Sequence, residues 1–140
     1  MAATDQLTFD HIHVISRDPK TSAQWYIDNL GATVTNEVTA RGATQIVLLL
    51  AGMRFLIRGQ RPGEGPTDAP GFQDFGDFSS HNQWGTDHFG LNVHGDFDAY
   101  CADLAAKGVT FTVPVKAGAG GRRISFIAAP DNVSIELLEA

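Results

Sequence analysis

A chain of 140 residues has room for one domain with a real core, and 43% hydrophobic against 19% charged residues excludes a disordered or fibrous protein. With 16 acidic and 10 basic residues the formal charge is −6, which argues against nucleic acid or an anionic membrane as the main partner. No run of about 18 apolar residues offers a membrane span, the opening MAATDQLTFD lacks the basic and apolar regions of a signal peptide, and the single Cys101 excludes an internal disulfide, so the expected compartment is cytoplasmic.

The chain contains a unit written twice. FDHIHVISRDPKTSAQWYIDNLGATVT, from Phe9 to Thr35, lines up with TDHFGLNVHGDFDAYCADLAAKGVTFT, from Thr86 to Thr112. In each copy the apolar period changes from 2 to 3.6, which reads as a strand followed by a helix. In the first copy His11, His13 and Ile15 share one strand face, and Ile12 and Val14 the other. Asp18-Pro19 starts the helix as N-cap and first helical residue. Ala23, Tyr26, Ile27 and Leu30 form its apolar stripe, and Gly31 ends it. Three strands should follow, over Thr33–Val38, Thr44–Leu50 and Arg54–Arg58, with a hairpin turn at Ala51-Gly52. The residues of 60–85 connect the copies. They are rich in Gly, Pro and Asp, yet hold Phe72, Phe75, Phe78 and Trp84, so they form either a loop packed on its own aromatics or a wall over a pocket. In the second copy Phe97, Cys101, Leu104 and Ala105 make the helix stripe up to Gly108. Strands should follow over Thr110–Val113, Arg123–Ala128 and Ser134–Leu138, with a turn at Pro130-Asp131-Asn132. Each half is therefore β-α-β-β-β.

Strand alternation decides which side chains can meet. Phe89, Leu91 and Val93 form an apolar face suited to a helix, which turns His88, Gly90 and Asn92 toward the hollow of a curved sheet. His11 and His13 face the hollow in the first half by the same logic. Glu136 alternates with Ile135 and Leu137 and points the same way. A buried carboxylate needs a partner, and no Lys or Arg stands beside it in sequence. A divalent cation bound by two imidazoles satisfies it and keeps coordination positions open.

The repeat, the DHI and DHF strand starts and the ending PDNVSIELLE resemble the vicinal oxygen chelate (VOC) superfamily, which includes glyoxalase I, fosfomycin-resistance transferases, extradiol dioxygenases and bleomycin-binding proteins. The resemblance runs from about Leu7 to Glu139. It implies an α+β fold of two paired β-α-β-β-β modules forming a curved open barrel, as one domain over 1–140 with modules at about 7–59 and 86–140. It places the metal on His11, His88 and Glu136. The fourth ligand found in several members falls on Leu56, since MRFLIRG aligns with VSIELLE. Leucine cannot bind a metal, which counts against glyoxalase I and leaves three-ligand subgroups. Gln45 substitutes only in another strand register. The resemblance also implies a homodimer with a small-molecule substrate.

For the ion Fe(II) is the first choice, with Mn(II), Zn(II) or Ni(II) as alternatives. The expected chemistry is Lewis-acid binding of two neighbouring substrate oxygens, leaning toward dioxygenase-like ring cleavage of a planar or apolar substrate. The competing readings are a lyase or isomerase, a fosfomycin-type transferase, and a non-catalytic drug-sequestering protein. His13 is a proton carrier, a support behind the ligands, an alternative ligand, or a hydrogen-bonded wall residue. Arg54, Asn92, Phe75 and Trp84 are the substrate-binding candidates, against a bland reading of Arg54 and Arg58 as solvated at the sheet rim. His81 is a further candidate above the site. Arg122-Arg123, after the glycines of 118–121, reads as a surface hairpin, and Cys101 as core.

Overall fold

The computed structural model describes residues 6–76 and 78–140. The opening residues 1–5, read above as part of no leader, lie outside the described residues. The chain falls into two compact units, Met1–Pro66 and Thr67–Ala140. No described helix is long and apolar enough to cross a membrane.

The first unit runs β1 (His11–Ile15), α1 (Pro19–Leu30), β2 (Thr33–Ala40), β3 (Ala43–Leu50) and β4 (Met53–Arg58). Its sheet has the order β1-β4-β3-β2, with β1 parallel to β4 and the other pairs antiparallel. The Asp18 carboxylate accepts the Thr21 N–H and caps α1, Pro19 supplies the first turn, and Gly31 closes the helix at φ 71°. Pairing puts Ile12 beside Phe55 and Val14 beside Ile57, and continues to Leu48 and Ile46. Phe55, Ile57 and Leu48 are fully buried, and Tyr26 of α1 packs on Phe55 at 4.7 Å between rings. The opposite face carries His11 beside Arg54, His13 beside Leu56, and Ile15 beside Arg58. Gln45 pairs with Arg58 and not with Leu56, so it does not take the missing ligand's place. Ala51 and Gly52 both adopt positive φ in the hairpin between β3 and β4, as the two-residue turn requires.

The second unit begins inside the connection. Strands β5 (Gln73–Asp74) and β6 (Ser79–Ser80) pair as a small hairpin. It is tied to the module by the Ser79 and Thr112 hydroxyls at 2.8 Å and by Lys116 Nζ donating to Gly76 O at 3.3 Å. The connecting segment from Thr67 onward is thus part of the second unit. β7 (Phe89–Val93), α2 (Phe97–Ala106), β8 (Thr110–Ala117), β9 (Arg123–Ala129) and β10 (Val133–Glu139) complete it, in the sheet order β7-β10-β9-β8. Phe89, Leu91, Ile135, Leu137 and Ile127 share the inner face. Phe97, Cys101 and Leu104 of α2 are buried, whereas Ala105, expected in that stripe, is exposed. The β-α-β-β-β order is present in both modules, with strands extended by one to four residues at their ends.

Candidate metal centre in the second module

His88 directly precedes β7 and stands at the head of the strand's outer face. Glu136 lies on the neighbouring β10, opposite Gly90. The two side chains meet, with His88 Nε2 and Glu136 Oε2 at 3.2 Å. Phe126 of β9, which pairs with Glu136, makes a T-shaped contact with the imidazole at 5.0 Å between ring centroids. Gly90 carries no Cβ, so the Glu136 carboxylate has space beside it: a Cβ there would lie 3.9 Å from Oε2 and 2.9 Å from Leu138 Cδ1.

The other imidazole nitrogen is also engaged. Asp87 Oδ2 lies 2.8 Å from His88 Nδ1, and its second oxygen accepts the Ser80 hydroxyl at 2.7 Å and the His81 N–H at 3.0 Å. Partial burial alone would raise the Asp87 pKa, but these hydrogen bonds outweigh it and hold the carboxyl below its usual value. A carboxylate on Nδ1 orients the ring, so that Nε2, the nitrogen that faces Glu136, is the one a bound cation would take.

The first module repeats the arrangement. Asp10 Oδ2 lies 2.5 Å from His11 Nδ1, again leaving Nε2 free of that carboxylate. Arg54 Nη1 donates to the same Asp10 oxygen at 2.6 Å, so its charge is already neutralised. The hydrogen bond to His11 leads the interactions that keep Asp10 below the ordinary carboxylate range. His13 lies 6.0 Å from His11 between ring centroids. Partial burial, then the charges of Arg58, His11 and Arg61, hold its pKa below the usual imidazole value. Arg58 is not solvated at the rim: it is buried and grips Glu64 with two hydrogen bonds of 2.6 and 2.9 Å.

Of the expected ligands, His88 and Glu136 meet in the second module, while His11 lies in the first, beside His13. Among the described residues no three His, Cys, Asp or Glu side chains gather as a ready metal site. Two metal donors at about 2.0–2.2 Å from one ion stand roughly 3 Å apart, so His88 and Glu136 fit one, and one oxygen of Asp87 supplies the carboxylate support a metal-bound imidazole commonly has.

A cleft of about 750 Å³ opens on His88 and Glu136, with Phe78, Phe126 and Arg122 in its wall. Of the expected substrate contacts, Phe75 stacks on Phe78 at 5.1 Å and is half-exposed, while Trp84 is fully exposed. Asn92 accepts a short hydrogen bond from Arg122. His81 packs at a tilt against Phe72, and its Nδ1 lies 2.8 Å from Pro70 O. Sequence reasoning assigned no role to Asp10, Asp87 or Arg122. The Asp-His dipeptide at both strand starts carried a readable signal for the first two.

These features coincide with a known class. The model of the Glyoxalase/Bleomycin resistance protein/Dioxygenase superfamily matches residues 8–137, and the chain belongs to that superfamily. No curated protein matches it in sequence. Among solved structures it is similar to a glyoxalase family protein from Enterococcus faecalis, at 18% identity and a TM-score of 0.73 over 94% of this chain and 97% of that one. It is similar to the fosfomycin resistance protein FosX from Listeria monocytogenes, at 18% identity and a TM-score of 0.69 over 96% and 93%. A variant of that FosX, complexed with Mn(II) and 1S,2S-dihydroxypropylphosphonic acid, aligns at 18% identity and a TM-score of 0.66 over 99% and 93%.

Proposed function

We propose that the chain is a metal-dependent enzyme in which His11, His88 and Glu136 hold one divalent ion, Fe(II) or Mn(II) ahead of Zn(II) or Ni(II). The observation that carries this reading is the Asp-on-Nδ1 contact made twice, at 2.5 Å on His11 and 2.8 Å on His88. A histidine that serves only packing has no need of that support, while a ligand histidine gains basicity and a fixed tautomer from it. When bound, the ion supplies Lewis acidity toward two adjacent oxygens of a small substrate.

The chain's own residues do the rest. Asp10 and Asp87 orient the imidazoles, and Glu136 brings the negative charge. His13, its pKa held below the usual imidazole value, is neutral at pH 7 and can accept a proton. Of the four aromatics read as suiting a planar or apolar substrate, Phe78 is the one that lines the cleft. The proposal therefore stays at metal-assisted polarisation of an oxygenated substrate. It retains a cytoplasmic homodimer, the assembly being measurable by light scattering.

The test is elemental analysis of protein purified without added metal. About one equivalent per chain is expected in the parent, and little in His11→Ala, His88→Ala or Glu136→Gln. Parent protein without bound metal, or His88→Ala protein with a full equivalent, overturns the reading. Ligand affinity untouched by chelator would favour the sequestering alternative.

A further inference from the structure

We infer that Arg122 anchors an anionic group, a carboxylate or a phosphonate, on the substrate of the cleft that holds His88 and Glu136. The word substrate rests on the function proposed above; the anion subsite itself rests on Arg122 and its surroundings.

The first observation is charge. Arg54, Arg58 and Arg123 each grip a carboxylate: Asp10, Glu64, and the pair Asp98 and Glu139. Arg122 has none among the described residues. Its Nε donates to the Glu139 backbone oxygen at 2.7 Å and its Nη2 to the Asn92 side-chain oxygen. Both acceptors are neutral, so the positive charge is held in place without being cancelled. A guanidinium has five N–H donors in a fixed fork, and these two bonds leave the rest of the fork to a ligand.

The second observation is rigidity. Gly118 N donates to Arg122 O at 2.6 Å, and Gly121 N to Gly118 O at 3.3 Å, closing a tight turn around the residue. A Cβ at Gly118 would stand 2.8 Å from both Arg122 O and Ile124 Cγ2, so the glycine is needed for this approach. The backbone is fixed by the turn and the side chain by Asn92 and Glu139. Such a side chain loses little freedom when it binds.

The third is place. Arg122 lines the same cleft as His88 and Glu136. Planar bidentate pairing with carboxylate or phosphonate oxygens is what an uncancelled guanidinium does best. Arg54, a substrate-binding candidate from the sequence, is already committed to Asp10.

The test uses the full chain, metal-free after EDTA, titrated with methylphosphonate and separately with acetate. Binding is read from the ¹⁵N NMR signals of the Arg122 Nε–H and the amides of 118–122. Saturable shifts centred there are expected, absent with the neutral dimethyl ester of methylphosphonate, and at least about tenfold weaker in Arg122→Gln. A parent that shows no saturable shift with either anion overturns the inference, as does Arg122→Gln binding like the parent. The parent map stands even if the variant folds poorly. Because no metal is present, this result is independent of whether the metal reading survives.

Discussion

Glu136 stands directly opposite Gly90 across the parallel β7–β10 contact, and the missing Cβ at Gly90 leaves the carboxylate room. In Gly90→Ala the nearest atom, Leu138 Cδ1 at 2.9 Å, is the end of a flexible side chain and can move. A longer side chain must occupy the space beside Oε2. Gly90→Ala should bind Mn(II) within a few-fold of the parent, while Gly90→Leu should bind at least about tenfold more weakly, a cost of roughly 1.4 kcal/mol, with an unchanged circular dichroism spectrum. Calorimetric titration decides it, and parent-like affinity in Gly90→Leu would show that this gap serves no ligand.

The repeat made much of this legible in advance. Aligning MRFLIRG with VSIELLE put Leu56 in the place of Glu136, and the registers agree: Leu56 faces His13 across β1–β4 as Glu136 faces Gly90 across β7–β10. Alternation also put the imidazoles and Glu136 on the sheet faces opposite the helix-packed residues. What it did not reveal depends on turns and loops. Arg122 reaches the cleft only because a glycine turn with Gly120 and Gly121 at positive φ folds 118–122 back on itself. Glu64 meets Arg58 because the loop after β4 doubles back. Neither event has a period to read.

Asp87 should matter to metal affinity more than to folding. Asparagine is its near-isostere but carries no charge and offers one acceptor oxygen where Asp87 uses two, one on His88 Nδ1 and one on Ser80 and His81. Loss of such carboxylate support typically costs 10–100-fold in metal affinity. Asp87→Asn is expected in that range by competition against a chelator, with a melting temperature within a few degrees of the parent. Unchanged affinity would remove the principal support for the site.

Phe55 tests the first module's core. It is fully buried between Tyr26 of α1 and its strand neighbours. Phe55→Ala removes a ring from a close-packed position, a change that costs about 3–5 kcal/mol. Urea denaturation of metal-free protein should show that loss with little change in slope. A loss below about 1 kcal/mol would mean that α1 does not pack on this sheet as described.

Arg58 and Glu64 give a pH signature separate from any metal. The hydrogen bonds from Arg58, then the Arg61 N–H, depress the Glu64 carboxyl from 4.5 to about 2. A carboxyl whose folded pKa is lowered adds stability that is fully present above its unfolded value, and that stability fades as pH falls toward the folded one. The parent should therefore be more stable than Glu64→Gln at pH 7, by several degrees in Tm, because the variant leaves buried Arg58 without its counter-charge. Between about pH 4.5 and 2 the gap should close. Other depressed carboxyls, such as Asp18 and Glu139, titrate in both proteins and cancel in the difference. Thermal melts of parent and variant across that range provide the measurement. A gap that stays constant from pH 7 to pH 2 would show that Glu64 is not ionised against Arg58, and the loop of 61–64 would then need another tether.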